Sequence, residues 1–471
     1  MSHATLPCLA YLRAAQGELA ATQAAVSGQL IDFMIAQHRL APQLQREARD
    51  AARALLPRIE ALLGARPELA AACCVDDAPP HERLLAAAGD AQRELIARGT
   101  PEAHALCKAL AEVESRYSRA LEAAVLAQAQ ASAAQDRAQP AARNARAYDE
   151  AALLAFVHNR FPRERGARIV DSGFVSGGYS KFTIGLTLSG TRELPGDIIL
   201  RGDAAATFGG ASVVDEYHLL RALHQHGVHV PEPLAVEDSG AVFGSPFMLV
   251  ARRPGRIVGG PYIDPPHDPA LCEDIATRLA AIHRVPLAAL WPGVSNAGRR
   301  NSEKTHAWLD EAEAAWQPLA MPSPVMSAAL AWLRRHADIT DAAPQALVHG
   351  DYGLHNLLVE DGRVSTILDW EFAHVGNPAY DLGYFHFHAR HMASWERFLQ
   401  AYARAGMPVP ERAQLDYQVL FAATRIGVML CQALHAFSSG AEIGLAGAAV
   451  LGGNYYERSI ARIAEALERV L

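Results

Sequence analysis

Long apolar runs are missing from this chain. No window holds eighteen uninterrupted apolar residues, so no membrane-spanning helix is expected. The opening residues, MSHATLPCLAYLRAAQGEL, lack a basic stretch followed by a long apolar one. No secretory signal is therefore expected, and a cytoplasmic location is. Cysteine is scarce. The six cysteines, Cys8, Cys73, Cys74, Cys107, Cys272 and Cys431, show no CxxC spacing. In a chain of 471 residues they read as reduced core thiols, not a disulfide framework. The adjacent Cys73 and Cys74 read as a packed pair. An excess of basic charge is also missing: 43 Lys and Arg against 51 Asp and Glu give a net charge of −8. That argues against a general nucleic-acid binder. It leaves room for a small anionic substrate, because a site can be basic on an acidic protein.

What is present is apolar material. Half of the residues are hydrophobic, ample for packed cores, and the length suits two or three domains. Residues 1–130 are rich in Ala, Leu, Arg, Glu and Gln, with apolar residues at helical spacing, as in LIDFMIAQHRL and ARALLPRIEALLGA. They predict an all-helical accessory domain with breaks near CCVDDAPPHE and ARGTPE. No a/d heptad persists, so a compact bundle is expected, not a coiled coil. Residues 131–148 are small and polar and predict a linker. A short helix over about 150–160 follows. Then ARIVDSGFVSG, YSKFTIGLTLSG, GDIILRGD, LAVEDSG and PFMLVAR read as antiparallel strands, with one helix in ASVVDEYHLLRALHQHG. This sheet lobe runs over 149–251. Residues 252–471 read as a mostly helical lobe. Ligands favour the crevice between such parts.

One stretch interrupts that helical part: LVHGDYGLHNLLVEDGRVSTILDW, residues 347–370. Two strand-like runs, 357–359 and 364–368, have polar residues at their rims. Asp351 follows the apolar ALV and can accept a proton from a substrate hydroxyl. Asn356 supplies a neutral oxygen suited to a hard cation, and Asp369 an anionic one. Together Asn356 and Asp369 are expected to hold Mg²⁺ against nucleotide phosphates, in the arrangement of kinase-type phosphoryl transfer. Alone, an Asp-x-x-x-x-Asn spacing carries little. Joined with HGD, with ILDW on a second strand and with an upstream Gly-rich sheet lobe, it is a strong signal.

HGDYGLHNLLV, ILDWEFAHVGNPAYDLGYF and VSGGYSKFTI resemble the aminoglycoside phosphotransferase and choline kinase superfamily. Within it they are most similar to the branch linked to acyl-CoA dehydrogenases. The resemblance covers roughly residues 150–471. It implies an α+β, two-lobed protein-kinase-like fold preceded by the all-α segment. It implies Asp351 as catalytic base, Asn356 and Asp369 as Mg²⁺ ligands, and His349 as a structural support of the loop. Ser176, Gly177, Gly178, Tyr179 and Ser180 would cover the phosphates of ATP, where absent side chains let backbone N–H groups approach. Glu216 would pair with the basic residue of the third strand. That residue is Arg201, where kinases normally place Lys; the two are not equivalent. Lys181, nearer the Gly-rich stretch, could assist Arg201, but reads first as an exposed strand lysine. Adenine would meet the backbone near Leu249, Val250 and Ala251.

The remaining features have plain readings. Asp381 is expected to cap a helix, to support the catalytic loop, or both. His386, His388 and His391 read as pocket lining, not a metal cluster, and His224, His226 and His229 as a helix end and turn. No activation segment closed by Ala-Pro-Glu follows Asp369, which disfavours a protein substrate. The expected activity is ATP- and Mg²⁺-dependent phosphorylation of a small-molecule hydroxyl, with an acyl-type acceptor suited to the apolar C-terminal region. Neither nucleic acid nor membrane is an expected partner. The rival reading is a non-catalytic nucleotide-binding scaffold whose N-terminal helical domain docks a protein.

Overall fold

The structure, a computed structural model, describes residues 21–74, 81–133, 149–174, 181–203, 211–260, 265–290, 299–319, 321–438 and 454–471. The chain forms two compact units. One contains residues 1–142, 300–342 and 412–471; the other contains 143–299 and 343–411.

The first unit is helical. Its N-terminal part comprises Ala21–Leu63, Pro67–Ala72, His81–Arg98 and Pro101–Ala133, matching the helical spacing of the sequence. The break at ARGTPE falls where Gly99 turns with φ +65° and Pro101 starts the next helix. These helices do not close a core by themselves. They pack with Asn301–Trp316, Pro324–Arg335, Arg412–Ser438 and Tyr455–Val470. One buried cluster joins Leu30, Phe33 and Leu44 of the first helix to Leu121 and Val125, and then to Leu434 and Phe437 from the far end of the chain. Glu114 is buried and accepts hydrogen bonds from the Ser323 hydroxyl (2.8 Å) and the Val325 N–H (2.9 Å). It thereby satisfies one of the first N–H groups of the Pro324–Arg335 helix, which would otherwise be buried without a partner.

This corrects the expected division into an accessory domain over 1–130 and a lobe over 252–471. Helical periodicity shows that a helix has an apolar stripe, but not which helix covers it. Of the expected linker, residues 131–133 continue the Pro101–Ala133 helix and 134–148 lie outside the described residues. The segment Arg412–Phe437 is long and apolar enough to cross a membrane by length and composition, and half of its most apolar window is buried.

The second unit carries the sheet. Its strands are β1 (Arg168–Phe174), β2 (Lys181–Ser189), β3 (Asp197–Asp203), β4 (Pro233–Glu237) and β5 (Phe247–Ala251). They pair antiparallel in the order β1-β2-β3-β5-β4. Ile184, Leu186, Ile198, Leu200, Phe247 and Leu249 bury one face against Leu153 and Val157 of the Glu150–Arg160 helix. Period-2 alternation then leaves Thr183, Arg201 and Met248 on the opposite face, in adjacent register. Beyond the sheet lie β6 (Arg256–Ile257), β7 (Ala346–Val348), β8 (Leu357–Glu360), β9 (Arg363–Ile367) and β10 (His374–Gly376). The two strand-like runs of the sequence are β8 and β9. Asp361 and Gly362 join them, both at positive φ, as a two-residue hairpin turn requires.

Because Leu434 and Phe437 share a core with helices at the other end of the chain, a fragment starting near residue 145 is expected to expose that core. It should be insoluble alone and recovered by co-expression of residues 1–140. A soluble, monomeric 145–471 fragment with the full helical circular dichroism per residue would contradict the shared core.

Candidate active site

The loop after β7 is held from behind. Gly350 has φ +85°, and a Cβ there would collide with the Phe372 carbonyl, so only glycine fits. Asp381, fully buried, accepts from the backbone N–H of His349 (2.7 Å) and of Gly350 (3.0 Å). Its Oδ2 also meets His283 Nε2 at 3.1 Å, and His283 Nδ1 meets the Tyr402 hydroxyl at 2.7 Å. Burial opposes the charge on Asp381, but these donors, His283 foremost, outweigh it and hold the carboxyl below the ordinary aspartate range. The Ala379–Met392 helix, in whose first turn Asp381 lies, shows no side-chain cap at its Pro378 N-cap. Asp381 thus supports the loop.

His349 is fully buried and joins the loop to the next strand. Its Nδ1 accepts from the Asp351 N–H (3.2 Å), so its Nε2–H donates to the Leu368 carbonyl (3.0 Å). Burial lowers its pKa, in keeping with a neutral ring in that tautomer.

Three donors surround the Asp351 carboxylate. The Tyr384 hydroxyl donates to Oδ1. Asn356 Nδ2 lies 2.8 Å and His355 Nε2 3.2 Å from Oδ2. Burial would raise the Asp351 pKa, but His355 and Tyr384 more than offset it and hold the group low. Conversely, Asp351 more than offsets the burial of His355 and raises its pKa. Asn356 also donates to the Asp351 carbonyl (3.0 Å), which fixes its amide and turns its oxygen away. The Leu368 N–H donates to the Asn356 carbonyl (2.8 Å), so Asn356 lies beside the strand end that carries Asp369. Asp369 is one of three non-glycine residues at positive φ (64°) among the described residues, a left-handed conformation that Asp adopts more readily than most side chains.

Opposite stands Arg201. Its Nη2 donates to Asp369 Oδ1, and its Nε lies 3.4 Å from Glu216 Oε2. The expected ion pair with Glu216 is present, and Arg201 bridges two carboxylates. Burial works against both charges. Glu216 and Asp369 nevertheless raise the Arg201 pKa, while burial raises that of Glu216 despite Arg201.

Lys181 differs from its expectation. Its side chain is 2% exposed, and Nζ donates to Asp203 Oδ1 (2.7 Å) and to the Ala211 carbonyl (2.8 Å), with Glu371 Oε2 at 3.9 Å. The strand alternation placed it on one face but could not show that three other segments cover that face.

A cleft of about 240 Å³ opens beside Arg201, Glu216 and Asp369. Thr183, Ile199, Met248, Val250, Leu368 and Trp370 give it apolar and small walls, and Arg201, Glu216 and Asp369 a polar end. Val250 and Ala251 line it. Leu249 instead faces the sheet core. The backbone of 249–251 is paired with β3 on one side and β4 on the other, and the Arg252 N–H donates to the Asp197 carbonyl (3.1 Å). The first residue past both ladders is Arg253, so the main chain of Leu249 to Ala251 is taken up by the sheet. Ser176, Gly177, Gly178, Tyr179 and Ser180 lie outside the described residues.

Arg201, Glu216 and Asp369, 168 positions apart at the extreme, therefore meet at one cleft, and the Leu368 N–H bond to the Asn356 carbonyl sets the loop of Asp351 and Asn356 next to it. Sequence reasoning missed Tyr384, His355 and His283. His355 was visible as the i+4 neighbour of Asp351 within the motif. Nothing local marks Tyr384 or His283, which reach the loop from helices.

Part of the chain is similar to known proteins. Residues 204–416 match the model of the phosphotransferase enzyme family. The chicken (Gallus gallus) acyl-CoA dehydrogenase family member 11 is 32% identical over 177 residues, 36% of this chain and 22% of that protein. The match thus spans less than a quarter of that relative's length. Viomycin phosphotransferase from Streptomyces vinaceus is 31% identical over 170 residues, 33% of this chain and 55% of that protein. A solved structure from Ralstonia eutropha, named as an aminoglycoside phosphotransferase, superposes with a TM-score of 0.55 at 22% identity. It covers 68% of this chain and 99% of its own. The fold is shared.

Asp381→Ala removes the acceptor of two buried N–H groups. The expected loss is on the order of 2–5 kcal/mol, since buried donors are left unpaired. Urea unfolding followed by tryptophan fluorescence checks it; an unchanged midpoint would show that the loop does not depend on Asp381.

Proposed function

We propose that this chain, whose residues 204–416 belong to the phosphotransferase enzyme family, transfers the terminal phosphoryl group of ATP to a hydroxyl of a small molecule. The observation that carries the reading is the cleft lined by Asp369 and the Arg201–Glu216 pair, with the Asp351–Asn356 loop joined to its wall through Leu368. Each member has a role that phosphoryl transfer needs. The acceptor hydroxyl meets Asp351, which orients it in line and takes its proton as the O–P bond forms. A carboxyl held low is a weak base. That suits a loose transition state, in which the proton leaves late and positioning contributes most. Tyr384, His355 and Asn356 fix the rotamer of Asp351 from three sides. Arg201 offers a guanidinium fork to phosphate oxygens while Glu216 keeps it aimed.

The donor set fits Mg²⁺. Asn356 and Asp369 present oxygens only, as a hard cation prefers, and few protein ligands suffice when phosphates supply the rest. Among the described residues Arg201 is shared by Glu216 and Asp369, so Asp369 stays an anionic ligand within reach of a guanidinium that can also meet phosphate. When bound, Mg²⁺ would screen the charge on the transferring phosphoryl group.

The names of the acyl-CoA dehydrogenase relatives support a hydroxyacyl-CoA or a related acyl metabolite as the acceptor. An ATP-consumption screen over hydroxyacyl-CoAs, amino alcohols, sugars and aminoglycosides tests that choice. Asp351→Asn keeps shape and removes the proton acceptor. Nucleotide binding should persist while turnover on the substrate found falls by a factor on the order of 10² to 10⁴. Near-normal turnover would remove Asp351 from the role. Asp369→Ala should weaken Mg-ATP binding by calorimetric titration, and an unchanged affinity would sink the metal assignment.

A further inference from the structure

We propose that the acceptor hydroxyl gives its proton to Oδ1 of Asp351, and that His355, admitted by Gly353, is a positioning residue that closes the other oxygen of that carboxylate. The inference rests on the phosphotransfer reading above and deepens it by fixing which atom of the base works.

An ionised carboxylate has about four acceptor sites, two on each oxygen. Oδ2 of Asp351 faces Asn356 Nδ2 at 2.8 Å and His355 Nε2 at 3.2 Å, so both of its sites are taken. Oδ1 accepts from the Tyr384 hydroxyl, which leaves it one site for a substrate. Among the described residues the ring of His355 makes no other hydrogen bond. Its Nδ1 is buried and has no partner. Burying a ring nitrogen unpaired costs stability, and the bond to Asp351 is the one polar contact the ring gains against that cost.

Gly353 makes that place available. Its backbone is ordinary extended chain, φ −132° and ψ 164°, which any residue adopts, so glycine is not needed there for conformation. It is needed for room. A Cβ at 353 would lie 2.6 Å from Cε1 and 2.8 Å from Nδ1 of His355, and 3.2 Å from Cε1 of Tyr384. The one missing side chain therefore lets both donors close on the carboxylate, His355 on Oδ2 and Tyr384 on Oδ1. In the step itself the acceptor O–H bond breaks and its proton goes to Oδ1. The acceptor oxygen forms the new O–P bond. The bond from the terminal phosphorus to its bridging oxygen breaks, and its electron pair leaves on ADP. A hydroxyl approaching Oδ2 instead would have to displace His355.

The test reads kcat for ATP consumption and, separately, Mg-ATP affinity by calorimetric titration, on full-length chains shown to be folded by circular dichroism. Consumption is followed with water alone and with each hydroxyacyl-CoA, amino alcohol, sugar and aminoglycoside of the screen. His355→Ala should lower kcat by about tenfold to a hundredfold, the worth of a hydrogen bond to a charged group, while Mg-ATP affinity changes by less than about threefold. His355→Gln, whose amide N–H can stand where Nε2–H stood, should recover most of kcat. Gly353→Ala should lower kcat about as far as His355→Ala. Added to His355→Ala, it should cost less than about twofold more, because the ring it strikes is gone. If the proton goes to Oδ2, removing the ring opens that oxygen, and kcat in His355→Ala stays level or rises; that result overturns the proposal. So does an equal fall of kcat and Mg-ATP affinity, or a Gln variant no better than the Ala one. Should His355→Ala fail to fold, Gly353→Ala decides alone by the same two measurements. Failure of both to fold marks the ring as structural and overturns the proposal too. A wild-type chain that consumes ATP with none of these acceptors overturns the phosphotransfer reading and this inference with it. An active wild type with kcat unchanged in the variants overturns only the role of His355.

Discussion

A single buried carboxylate sets the geometry of the candidate site. Asp381 has no exposed surface, and a charge so placed is tolerated only where donors surround it. Its donors are the N–H groups of His349 and Gly350 and the ring of His283. Two of the three are main-chain groups of the loop that ends in Asp351. The burial of Asp381 and the path of that loop are therefore one constraint. Gly350 can turn at positive φ against Phe372, His349 can bridge to Leu368, and Asp351 can face Asn356 only while that anchor holds.

In front of that anchor, charge is distributed unevenly. Arg201 spans Glu216 and Asp369, and Lys181 serves Asp203 and Glu371, so each cation is shared between carboxylates. An arginine at this strand position can fork where a lysine ammonium offers only a point charge. The chain thus keeps both cations in fixed places. Strand alternation contributes the other half of the geometry: the face that presents Thr183, Arg201 and Met248 exists because Ile184, Leu200 and Leu249 are buried on the reverse.

The helical unit follows a different logic. Its N-terminal helices bury Leu30, Phe33 and Leu121 against Leu434 and Phe437, and Glu114 binds the start of the Pro324–Arg335 helix. The two ends of the chain therefore share one core, and the order of segments in the sequence is not the order of packed units.

The sequence by itself determined most of the elements. β-Branched and aromatic runs with Gly or Pro between them marked β1 to β5, two short apolar runs marked β8 and β9, and the spacing of Asp351, Asn356 and Asp369 marked a candidate site, because all of these depend on neighbours within a few residues. Local pattern could not show what covers a face. Lys181 read as an exposed strand lysine, yet Asp203, Ala211 and Glu371 enclose it. Leu249 read as part of a base-binding edge, yet both its neighbouring strands take up that edge. Residues 1–130 read as a separate domain, yet helices from beyond residue 300 complete their core. Tyr384 and His283 joined the loop with no local sign at all. In each case the deciding partner lies far along the chain. Burial and hydrogen bonding depend on which surfaces meet, and tertiary structure alone decides that.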